Sequence, residues 1–185
     1  FTFDDPIVTI GLPFTKTVKQ GGTAAPGART FHLEVFEIGN GNENEYRDVS
    51  YTASVKTNGT GDYGGKLVIT GPKSQVRQFI SEGFFVREVT GSAANWTYSD
   101  AVGMIAPDYN GSSDEPKLTI YPAKMEKTDN GNRYVREGMN PVNKMSFVNT
   151  YTYSKTTAPK TGDSGNMLLW CVLLLTSAVS AGILT

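Results

Sequence analysis

Three polar side chains fall where the alternation of a β-strand calls for apolar ones. Every second side chain of a strand points the same way. In Leu12-Pro13-Phe14-Thr15-Lys16-Thr17-Val18 the apolar set is Leu12, Phe14 and Val18, and Lys16 shares their parity. In Phe84-Phe85-Val86-Arg87-Glu88-Val89, Glu88 shares the face of Phe84 and Val86, although Phe85 and Val89 make the opposite face apolar too. In Met145-Ser146-Phe147-Val148-Asn149-Thr150-Tyr151, Asn149 falls with Met145, Phe147 and Tyr151. Burying a lone charge is costly, and a buried ion pair often fails to repay its desolvation. A reaction that removes the charge resolves the conflict. A desolvated lysine loses its proton readily, and the neutral amine is a nucleophile. An asparagine amide is a poor electrophile unless its carbonyl is polarised. A buried carboxylic acid kept protonated can donate that hydrogen bond and then carry a proton to the leaving ammonia. The product is an uncharged amide joining Lys16 to Asn149. The plainer reading has Lys16 reaching a sheet edge, Glu88 paired with Arg87 or another surface cation, and Asn149 capping a strand end.

The elements that must hold these groups are strands. Short runs of Val, Ile, Thr, Tyr and Phe alternate with Asn, Asp and Gly. Strands are expected at Ile7–Leu12, Phe14–Gln20, Arg29–Ile38, Tyr51–Thr57, Lys66–Thr70, Phe84–Val89, Trp96–Ile105, Lys117–Lys124 and Met145–Tyr153. Asn40-Gly41, Asn58-Gly59, Asn110-Gly111 and Asn130-Gly131 are turn dipeptides. Lys73–Ser81 reads as a short helical turn or loop. Regularly spaced short strands favour a β-sandwich, so the expected class is all-β over residues 1–153.

The run Phe14-Thr15-Lys16-Thr17-Val18, the later Val86-Arg87-Glu88-Val89-Thr90-Gly91, then Trp96-Thr97-Tyr98, and the final Phe147-Val148-Asn149-Thr150-Tyr151 resemble the streptococcal pilin isopeptide-linker domain. The resemblance covers roughly Ile7–Tyr153, with a poor match around Pro107–Lys127. It implies an Ig-like β-sandwich that builds pili or surface stalks. It also implies a bond from Lys16 on the first strand to Asn149 on the last, assisted by Glu88 on a central strand.

The C-terminus carries a second pattern. After Ala158-Pro159-Lys160-Thr161-Gly162-Asp163 and a short polar step, Met167 to Thr185 has no charged side chain. At about 1.5 Å per helical residue this run spans roughly 28 Å, close to a bilayer's hydrocarbon core. Residues 154–166 are thus expected to be a linker and 167–185 a transmembrane helix. A core helix would carry a polar face, and a lipid-anchor signal would need a longer polar spacer. The arrangement resembles the cell-wall sorting signal of Gram-positive surface proteins, with Ala158 standing where that family usually has Leu. The resemblance implies a sortase as partner, cleavage between Thr161 and Gly162, and transfer of the Thr161 carboxyl to peptidoglycan or a neighbouring pilin subunit. The protein would be held in the membrane before sorting and attached covalently to the cell wall afterwards. No leader precedes Phe1, as expected where a leader has been removed or the sequence begins mid-protein. Lys124, in Ile120-Tyr121-Pro122-Ala123-Lys124, resembles the Tyr-Pro-Lys pilin motif with Ala123 interposed, and is a candidate polymerisation lysine.

Composition closes other routes. A net charge of -1 without a basic patch argues against a nucleic-acid partner. The single cysteine, Cys171, lies in the apolar tail and cannot form an intrachain disulfide. The single histidine, His32, alternates with Phe31 and Leu33, which points to a solvated strand face rather than a catalytic site. From Asp108 an EF-hand loop would need Gly and Glu where Ser113 and Thr119 stand, so no metal is expected, and no cofactor. The glycosylation sequons at Asn58, Asn95 and Asn110 are expected to carry nothing in a bacterial surface protein. The leading expectation is a structural pilin or stalk subunit. An adhesin domain with ligand-binding loops is the alternative. An enzyme acting on an external substrate is not expected.

Overall fold

The computed structural model describes residues 5–36, 48–108, 117–129 and 131–154. The fold is that of the compact unit Phe1–Tyr153. The expected linker after Ser154, Ala158 to Gly162, the transmembrane stretch 167–185 and the turns at Asn40 and Asn110 lie outside the described residues. Among the described residues, no helix is long and apolar enough to cross a membrane.

The described chain is mostly β. Its strands are β1 (Ile7–Gln20), β2 (Ala28–Phe36), β3 (Ser50–Asn58), β4 (Gly61–Pro72), β5 (Phe84–Glu88), β6 (Trp96–Thr97), β7 (Val102–Asp108), β8 (Lys117–Thr128), β9 (Gly131–Arg136) and β10 (Met145–Tyr151). One helix, α1 (Lys73–Glu82), lies between β4 and β5. Hydrogen bonding runs in the order β6-β10-β1-β4-β3-β2-β5-β7-β8-β9.

Strand β2 is the corner of this arrangement. Its first half, Ala28–His32, pairs with β3, and its second half, Leu33–Phe36, pairs with β5. The sheet therefore bends at β2, and the inner faces of the two halves share one core. Leu12, Phe14 and Val18 of β1, Leu67 and Ile69 of β4, Phe84 and Val86 of β5 and Phe147 of β10 are all buried there.

The first and last strands lie side by side in parallel, with Phe14 opposite Met145 through Gln20 opposite Tyr151. The expected break at Pro13 is absent: Ile7–Gln20 is one strand. Proline is tolerated because β10 joins only from Phe14 onward, so Pro13 lies where β1 has β4 alone as a neighbour. Gly65 faces Phe14, and a Cβ there would lie 2.3 Å from the ring, so the missing side chain makes room for a core aromatic.

Three other expectations change. Lys73–Glu82 is a true helix, with Val76, Phe79 and Ile80 buried at helical spacing. It ends at Gly83, whose φ of 72° suits glycine. The single strand expected over Trp96–Ile105 is broken into β6 and β7 by residues 98–101. Strand β9, a polar sequence without apolar alternation, was not expected and pairs with β8. His32 is exposed on β2, as expected.

Candidate functional site

The parity of each strand carries straight into burial. Inward positions of β1, β5 and β10 include Lys16 at 0% exposure, Glu88 at 2% and Asn149 at 0%. Lys16 and Asn149 come from adjacent strands of one sheet half, Glu88 from the other. All three side chains meet in the core.

Glu88 bridges the other two. The Lys16 ammonium donates to Glu88 Oε2 in a buried ion pair. The Asn149 side-chain amide donates from Nδ2 to Glu88 Oε1 at 2.6 Å. Asn149 Oδ1 accepts from the main-chain N–H of Ser99 at 2.8 Å. The contact to the carbonyl therefore differs from the sequence expectation: the backbone of Ser99 holds the carbonyl oxygen, while Glu88 contacts the two nitrogens, Lys16 Nζ and Asn149 Nδ2. The amide orientation is self-consistent. Turned over, Nδ2 would face the Ser99 N–H, donor against donor.

The surroundings are apolar and aromatic. Lys16 Nζ lies 4.4 Å from the centroid of the Phe31 ring. Phe14 and Phe147 pack edge to face at 6.1 Å, one residue pair along from the site. Phe31 packs on Trp96 at 5.3 Å. Burial pushes the Lys16 amine below its ordinary value, and Glu88 only partly offsets that shift. In this setting the neutral amine is accessible, and a carboxyl within reach of both nitrogens can move protons between them.

An open cleft of about 850 Å³ backs onto the site, with Glu88 and Ser99 in its wall. Lys124, the candidate polymerisation lysine, lines the same cleft and is exposed on β8. It is not joined to the buried cluster. The plainer pairing of Glu88 with Arg87 does not occur: Arg87 points to the other face and bonds Glu34.

The contact from the Ser99 N–H to Asn149 Oδ1 is the part of the cluster that sequence reasoning missed. A backbone donor has no side-chain signature. The only trace was Ser99-Asp100, a polar pair interrupting the run from Trp96 to Ile105. No family model, curated protein or solved structure matches this chain.

Proposed function

We propose that this chain is a structural cell-surface protein, a sortase-anchored pilin or stalk subunit whose Ig-like β-sandwich is locked by an autocatalytic Lys16–Asn149 isopeptide bond. The observation that carries the reading is the buried cluster of an amine, a carboxyl and a side-chain amide, with the carboxyl bridging both nitrogens.

The steps balance. Glu88 takes a proton from the Lys16 ammonium, leaving two neutral groups in place of a buried ion pair. The amine attacks Asn149 Cγ, and the carbonyl π pair moves to Oδ1. Glu88 gives its proton to Nδ2 and takes the surplus proton from Nζ. The Cγ–Nδ2 bond breaks, ammonia leaves with that pair, and the carbonyl reforms. An amide N–H, ammonia and a protonated Glu88 remain, so no charge stays in the core. The event occurs once per molecule and has no external substrate.

The position of the bond suits a load-bearing part. Force applied between the N-terminus and a wall attachment at Thr161 would pass through β1 and β10, which are adjacent and parallel. A Lys16–Asn149 bond shields the chain between them. Stretching single molecules should then show no extension from residues 17–148. Lys124 would supply the acceptor amine if subunits polymerise.

The reading is tested by mass. Intact protein should weigh less than calculated by one ammonia, and a tryptic digest should hold one branched peptide joining the segments around Lys16 and Asn149. Lys16→Ala should restore the calculated mass. In a sortase-competent cell, wall-released protein should end at Thr161. Full calculated mass in wild type would remove the bond, and a mature protein retaining residues 162–185 in the membrane would remove the anchoring.

A further inference from the structure

We propose that the main-chain N–H of Ser99 is a catalytic group of the Lys16–Asn149 condensation, the donor that stabilises the oxyanion forming on Asn149 Oδ1; this rests on the condensation proposed above. The donor stands 2.8 Å from the oxygen that gains negative charge, within the range required of such groups. The oxygen belongs to a side chain with 0% exposure, where water cannot take over the task. Glu88 is engaged with the two nitrogens and does not reach that oxygen in this arrangement.

The local fold explains why this N–H is free to act. Trp96 and Thr97 pair with Tyr151 and Thr150, which brings the next residues of the chain beside Asn149. There β6 stops, and β7 does not begin until Val102. In a continuous strand the Ser99 N–H would serve the ladder or face out. In the break it turns to the Asn149 side chain.

Two contacts hold the break in shape. Ser99 Oγ accepts from the Ala101 N–H at 3.3 Å. The Tyr98 hydroxyl accepts from Arg29 Nη2 at 2.6 Å. Gly91 lies against that hydroxyl, and a Cβ there would come within 2.3 Å of it. The interrupted strand is thus the device that polarises the amide. It supplies what an asparagine electrophile lacks, with Glu88 left to move protons.

The test replaces that N–H with an oxygen, which cannot donate. Full-length chain is made by cell-free synthesis with the α-hydroxy analogue of alanine at position 99, which turns the Tyr98–Ser99 amide into an ester. Ser99→Ala, which keeps the N–H, is the reference. Timed samples are quenched in denaturant and weighed. Loss of ammonia should be slower in the ester by about 10²–10³-fold, the usual effect of deleting one oxyanion donor. Equal rates in ester and Ser99→Ala would overturn the role of Ser99 while leaving the bond intact. Wild type that never loses ammonia would overturn the bond and this role with it. A second measurement does not depend on how the ester folds. In Lys16→Ala, which cannot react, the Ser99 amide proton should be protected from hydrogen exchange, and adding Asn149→Ala should remove that protection. Equal exchange in both would overturn the contact on which the role depends.

Discussion

Two ion pairs lie one residue apart on β5, and they behave in opposite ways. Glu88 points into the core and pairs with Lys16, both side chains fully buried. Arg87 points to the other face and pairs with Glu34 at 2.5 Å, with side-chain exposures of 42% and 39%. The Glu34 hydrogen bond raises the affinity of Arg87 for its proton and outweighs the desolvation that opposes it. For Lys16 the order reverses, and burial outweighs the carboxylate. The chemistry of the partners is similar. Solvent makes one pair an ordinary surface contact and leaves the other with a lysine that holds its proton less tightly, as the proposed reaction requires.

The largest expected effect comes from breaking the inner pair. Glu88→Ala keeps the amine and the amide but removes the group that moves protons. It should fold with the full calculated mass. Without the crosslink it loses the closure of a loop of about 130 residues, worth roughly 5 kcal/mol in the loop-entropy model. It also strands a buried amine. Asn149→Ala loses the crosslink but keeps the Lys16–Glu88 contact. Denaturant melts should therefore place wild type highest, Asn149→Ala roughly 5 kcal/mol lower, and Glu88→Ala lower still. Glu88→Ala that loses ammonia at the normal rate would show that the inner pair is not a reacting pair.

A smaller effect sharpens the contrast through pH. In Asn149→Ala, Lys16 remains an amine whose affinity for its proton is lowered on folding from an ordinary value of 10.5. Between the lowered value and 10.5 the unfolded chain holds this proton and the folded chain does not. The unfolded state thus binds more protons there, and stability rises with pH. Below that window the desolvation penalty is complete, and above it the penalty is gone. Wild type should lack this component, because an amide nitrogen does not titrate. The check is the urea midpoint of Asn149→Ala across the alkaline range, against Lys16→Met/Asn149→Ala, where the rise should vanish. A rise that survives in the double variant belongs to other groups.

The same contrast shows what the sequence could reveal. Period-two parity is a local property, so Lys16, Glu88 and Asn149 could each be placed on an inner face from a few neighbours. Even Glu88 was legible, although Phe85 gave its strand two apolar faces. Phe85 turned out to pack outward, against Phe36 and Tyr134. Strand pairing was not legible, because it depends on contacts far apart in sequence. Nor was the interruption at 98–101, since Trp96-Thr97-Tyr98 has strand composition and only the tertiary position of Asn149 gives the Ser99 N–H its partner. Pro13 misled in the opposite direction. Separate strands were expected on either side of it, yet a strand with one neighbour at that point accommodates it. Strand β9 escaped notice because pairing with β8, rather than burial of an apolar face, defines it.

The smallest expected effect is on the outer pair, and it bounds the comparison from the other side. Arg87 does more than pair with Glu34. Its guanidinium lies 4.4 Å from the centroid of the Phe36 ring, and Nη1 donates to the Tyr134 hydroxyl at 3.4 Å. Arg87→Met keeps an unbranched stem over the ring but removes the charge, so it isolates the electrostatic part. Exposed pairs contribute about 0–1 kcal/mol, and that contribution is screened by salt. The stability difference between wild type and Arg87→Met should fall in that range and shrink in concentrated sodium chloride. Crosslinking should proceed at the wild-type rate, since Arg87 faces away from Asn149. Loss of Glu88 should resist salt, because its partners are out of reach of solvent ions. An Arg87→Met variant that slowed ammonia loss, or that lost as much stability as Glu88→Ala, would mean that the two faces of β5 are coupled and that burial alone does not separate a surface contact from a reaction.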